Sequence, residues 1–137
     1  MENEYLNEKV SVNVNTSTLA GIDALVDNGF YSNRSDFINQ AVRELLHKQQ
    51  GVLDRIAEQK ASAADPDKWF LGLSSLGAGE LEAAKRQGIR MSIRGYGVLF
   101  IGDDVDPQLL FDTVGEIRVK GRVKCSDEVR AHYELKK

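Results

Sequence analysis

Three hydrogen-bonding side chains, Lys9, Ser11 and Asn13, recur at every second position near the start of this chain. Alternate residues of an extended strand point to one face, so this spacing lines up an ammonium, a hydroxyl and a carboxamide. Such a face carries the donors and acceptors that a base-reading ribbon needs. Val10, Val12 and Val14 fall between them and form the opposite, apolar face. The same alternation also suits an edge strand used only for dimerisation, with its polar side in water. On spacing alone both readings stand.

Other chemistry finds few residues. His47, His132 and Cys125 are the chain's histidines and cysteine, and they lack paired ligand spacing, so no metal site is expected. His47 falls near the end of a helical pattern, where an imidazole meets the helix dipole favourably. Gly95, Gly97 and Gly102 with Asp103-Asp104 read as turns, since no strand-turn-helix glycine fingerprint surrounds them. No Ser-His-Asp arrangement, paired-carboxylate motif or nucleotide loop is evident. The expectation is a protein that is not an enzyme and holds no cofactor.

The elements that must position Lys9, Ser11 and Asn13 follow from pattern. Residues 9–15 alternate with the period of a half-buried strand. A lone strand leaves its N–H and C=O groups unpaired, and no second strand follows nearby. Pairing with the same strand of a second copy resolves this, which makes an obligate homodimer. Residues 15–18, Asn-Thr-Ser-Thr, supply N-cap candidates for a helix carrying Leu19, Ile22, Leu25 and Val26 on one side. Gly29 ends that helix. Ser32 is expected to cap a second one, whose buried stripe is Phe37, Ile38, Ala41, Val42, Leu45 and Leu46. The expected dimer core is Val10, Val12, Val14, Ile22, Leu25, Phe37, Ile38, Ala41, Val42 and Leu45. So few residues cannot bury a core alone, and an intertwined dimer would complete it.

This order of elements, with Gly29-Phe30-Tyr31-Ser32-Asn33-Arg34-Ser35-Asp36-Phe37-Ile38 at its turn, resembles the ribbon-helix-helix family of DNA-binding proteins. The resemblance covers roughly residues 7–50. It implies an antiparallel two-stranded ribbon in the major groove of double-stranded DNA, with Lys9, Ser11 and Asn13 contacting bases. Lys suits guanine O6/N7, Asn suits adenine N6/N7, and Ser suits either. It also implies a phosphate anchor at the second helix, formed by Ser32, Asn33, Arg34 and Ser35. Asp36 sets a negative charge one turn into that anchor.

Charge tempers the picture. The chain carries a net charge of −3, and residues 1–50 hold four basic groups against seven acidic ones. Strong non-specific DNA affinity is therefore not expected. No apolar run reaches membrane-spanning length, the acidic residues 1–4 do not read as a signal peptide, and one cysteine fits a reducing cytoplasm.

Beyond residue 50 the expected class is α+β: residues 1–50 as the DNA-binding and dimerisation domain, 51–88 as a helical connector, and 89–137 as a small α/β domain. Asp65-Pro66 reads as the start of a short helix bearing Trp69, Phe70, Leu73 and Leu76. Ile93-Arg94-x-x-Gly97-x-Leu99 matches Ile117-Arg118-x-x-Gly121-x-Val123 at an offset of 24, which reads as a two-copy β-α repeat. Arg118, Lys120, Arg122 and Lys124 line one side of the second copy, either as a solvated face or as a further DNA contact. The functional expectation is a cytoplasmic transcriptional regulator whose C-terminal part builds tetramers or senses an unidentified effector. The alternatives are an antitoxin with a protein toxin as partner, or an assembly protein that binds no DNA.

Overall fold

A computed structural model describes residues 6–64 and 66–136. Among them the chain forms six helices and one three-stranded sheet. Two compact units divide it: Lys9–Arg55, and Ile56–Lys137 together with the residues up to Glu8.

The first unit holds α1 (Thr16–Asp27) and α2 (Arg34–Lys48); the division falls inside α3 (Gln50–Ala64). Asn15 starts α1 by accepting the Ser17 amide on its side chain at 2.8 Å. Gly29, at φ +81°, ends it in a conformation that side chains disfavour. The Phe30 amide returns to the Leu25 carbonyl and the Gly29 amide to that of Val26, so both freed carbonyls are satisfied.

The second unit is two-layered. β1 (Lys68–Leu76), β2 (Met91–Ile101) and β3 (Val114–Lys124) pair in parallel in the order β1-β2-β3. Parallel neighbours need crossovers, which are α4 (Ala78–Arg86) and α5 (Pro107–Thr113), with α6 (Asp127–His132) closing the chain. Leu76, Leu81, Ile93, Leu99, Leu110, Val114 and Val129 are all but fully buried and join sheet to helices in one core. The Tyr133 hydroxyl ties this layer together by donating to the carbonyls of Val114 (2.7 Å) and Leu110 (3.2 Å).

The sequence expectation for the segment after Asp65-Pro66 is overturned. Residues 68–76 are the strand β1, not a helix. Trp69, Phe70, Leu73 and Leu76 fit helical spacing, but Gly72 lies at φ +101° and the whole segment pairs with β2. Tertiary pairing outweighs the local pattern. The N-cap assigned to Asp65 lies outside the described residues.

The two stretches that match in sequence lie side by side in register: Ile93 faces Ile117, Arg94 faces Arg118, Gly97 faces Gly121 and Leu99 faces Val123. β1 adds a third row member to each, with Gly72 opposite Gly97. The glycine column is obligatory. A Cβ on Gly97 would sit 1.9 Å from the Gly72 carbonyl oxygen, and one on Gly121 would sit 1.9 Å from that of Gly97.

Candidate nucleic-acid interface

The expected base-reading residues lie in a stretch with no assigned secondary structure. Residues 7–15 carry no strand in the single chain. The expected strand is therefore corrected to this: a ladder requires a second strand, and none of the described residues provides one. Lys9, Ser11 and Asn13 are exposed. So are the intervening valines, Val10 at 78%, Val12 at 70% and Val14 at 39%.

The two helices beside them are equally bare. Ile22 is the one buried residue of the unit, and α2 buries none among those described. Leu25, Ile38, Ala41, Val42, Leu45 and Leu46 are exposed, and Phe37 is half-buried, with its ring edge-to-face on Tyr31 at 4.9 Å. An apolar helix face in water is a liability unless something covers it. The expected core residues thus form a continuous apolar set with almost no core in one chain.

At the start of α2 the cap is Asn33 and not Ser32 as the sequence suggested. Asn33 is extended (φ −165°) and its side-chain Oδ1 accepts the Asp36 amide at 2.8 Å. Asp36 reaches back, accepting the Ser32 amide at 3.0 Å and the Gln40 side chain at 2.9 Å. These bonds, the Ser32 amide first and Gln40 next, hold the Asp36 carboxyl below its ordinary range. The result is a reciprocal cap built one residue later than expected, and it consumes the Ser32 amide. The amides of Arg34 and Ser35 remain without intrahelical acceptors by helix geometry.

Arg34 is positioned across the turn. Its Nε and Nη2 donate to the two oxygens of Asp23 on α1 at 2.7 and 2.8 Å. The paired guanidinium holds the Asp23 carboxyl below its usual value, and Asp23 raises Arg34 in turn. Both groups are solvent-exposed, so the pair fixes direction more than it adds stability. A guanidinium has five donors, so this fork leaves some facing outward.

Sequence reasoning missed the Asp23–Arg34 pair, because nothing local links positions eleven apart across a turn. The Asn33-x-x-Asp36 spacing was the available signal for the cap. Cys125 and His132 are not drawn into any metal-ligating cluster among the described residues; His132 stacks on Phe111 at 3.7 Å. Arg118 bonds Glu116 at 2.7 Å. No described helix is long and apolar enough to cross a membrane.

A family model described as the Ribbon-Helix-Helix transcriptional regulator family matches residues 5–130. No curated protein and no solved structure matches the chain.

Proposed function

The chain belongs to the Ribbon-Helix-Helix transcriptional regulator family, and on that premise we propose that it is a homodimeric, sequence-specific DNA-binding regulator. Two copies pair through residues 9–15 into an antiparallel ribbon that enters the major groove. Lys9, Ser11 and Asn13 read base edges. The observation that carries this reading is the unpaired, valine-exposing stretch beside two helices whose apolar faces are open. A second copy covers Val10, Val12, Val14 and the Ile38-Val42-Leu45 stripe in one step, and leaves the polar row outside.

Ser32, Asn33, Arg34 and Ser35 anchor phosphates on either side. The Arg34 and Ser35 amides and the Asp23-oriented guanidinium contribute most, while the Asp36 carboxylate keeps the site weak. The packed C-terminal unit serves assembly of dimers into tetramers or ligand sensing. Its ordered core argues against an antitoxin tail that folds on its toxin.

Selection from a pool of random duplexes tests this. The native chain should enrich one short repeated motif, whereas Lys9→Ala/Ser11→Ala/Asn13→Ala should remain dimeric and enrich none. Equal enrichment by both, or none by the native chain, would remove the ribbon from base reading.

A further inference from the structure

The sheet of the C-terminal unit has a second face. Ile93, Leu99, Ile117 and Val123 point to the helices, so their neighbours in sequence point away. Across the three strands this outer face carries Trp69, Arg94 and Arg118 in one row, then Leu71, Tyr96 and Lys120 in the next. Trp69, Arg94, Arg118, Tyr96 and Lys120 floor a cleft of about 410 Å³, walled by Lys60 from α3 and by Asp67. That volume lies in the range of small-ligand sites.

The lining has a definite chemistry. Lys60, Arg94, Arg118 and Lys120 face two carboxylates, Asp67 and Glu116, an excess of two positive charges in a chain whose net charge is −3. Glu116 sits behind the two arginines, touching Arg94 at 3.4 Å and Arg118 at 2.7 Å, and so holds both guanidiniums in one row. The Lys68 ammonium is turned elsewhere, to the Ser75 carbonyl and Glu80. Trp69 is half-buried and Tyr96 is 50% exposed, so two aromatic rings share the floor with the cations. Gly95, between Arg94 and Tyr96, is held bare because a Cβ there would meet the Phe70 ring and carbonyl at 2.5 Å.

We propose that this cleft binds a small planar-ring anion of the nucleotide class. The ring stacks on Trp69 and Tyr96, and the phosphate bonds Arg118, Lys120 and Arg94. Asp67 commits Oδ1 to the Ser92 amide at 2.9 Å, and Oδ2 is placed to accept from a sugar hydroxyl. The site would be the effector pocket of the regulator, yet its occupancy does not depend on the DNA reading.

Trp69 is the chain's single tryptophan, so its fluorescence reports the cleft alone. The test titrates the 137-residue chain, without DNA, with each of the four common 5′-mononucleotides. Ribose 5-phosphate and the free nucleosides form the control arms. At least one mononucleotide should quench Trp69 saturably at millimolar concentration or below. Arg118→Ala and Lys120→Ala, both surface changes, should each weaken it at least tenfold. Ribose 5-phosphate binding as tightly would overturn the stacking assignment, and a nucleoside binding as tightly would overturn the phosphate assignment. No saturable change with any mononucleotide, or quenching that both variants leave intact, would overturn the site. Failure here leaves the duplex selection untouched, so the two claims are separable.

Discussion

Val12→Ala gives the dimer its sharpest test. The substitution deletes two methyl groups, each stabilising by about 0.8 kcal/mol when fully buried. Val12 is 70% exposed in the single chain, so about that share of the burial is still to be gained on pairing. The loss is then roughly 1 kcal/mol per chain and about 2 kcal/mol per dimer, a weakening on the order of 30-fold in Kd. Sedimentation over a dilution series reads it directly. Ser11→Ala, on the other face of the same stretch, should leave the dimer constant unchanged. If Val12→Ala dimerises as tightly as the native chain, the valine face is not the seam. A native chain that stays monomeric at all concentrations would refute the pairing outright.

Other expectations follow from the same geometry. Gly97→Ala must adopt φ +121° and drive a Cβ into the Gly72 carbonyl, so it should cost at least about 2 kcal/mol in thermal unfolding of the C-terminal unit. Gly79→Ala, in α4 with open space around it, should instead stabilise by about 0.5–1 kcal/mol. Asn33→Ala removes the α2 cap and should cost about 1 kcal/mol, measured by urea unfolding. Burial pushes the Tyr133 hydroxyl up to about 12 from 10, so its neutral form stabilises the fold fully below pH 10. That contribution is lost as pH rises through 12, and Tyr133→Phe should flatten the alkaline limb of the stability profile. If Arg34 is the one charged phosphate anchor of each chain, as proposed, DNA affinity should fall with salt at a shallow slope of about −2.

Sequence reveals local features here and conceals partners. The Gly29 stop and a cap among residues 15–18, taken by Asn15, are written in residues a few positions apart and are found there; the apolar stripe of α2 has the expected spacing but is exposed in the single chain. The α2 cap slipped by one because Ser32 and Asn33 are both good caps. Asn33 takes the position since Asp36, three residues on, both donates to it and reaches back. The pattern of the 68–76 segment predicts a helix because Trp69, Phe70, Leu73 and Leu76 satisfy that period too. Its better signal was Gly72 in the fifth position of Lys68-Trp69-Phe70-Leu71-Gly72, matching Gly97 and Gly121 in their strands. A strand that exists only beside β2 has no purely local signature. The Asp23–Arg34 pair and the outer-face row of Trp69, Arg94 and Arg118 are likewise products of folding. The period-2 alternation of Lys9, Ser11 and Asn13 with Val10, Val12 and Val14 is plain in the sequence, while the strand it predicts is not present in the single chain, because a ladder needs a second strand.

The central claim is that Asn13 and its neighbours read base edges. The most direct measurement is a double-mutant cycle: native chain and Asn13→Ala, each titrated on the selected duplex and on duplexes with single base pairs changed. The account predicts that Asn13→Ala loses about 1–3 kcal/mol on the selected site and nothing further where its own base pair has been changed. An equal loss on every duplex would contradict it, and would leave Asn13 as a backbone or dimer contact instead of a reader.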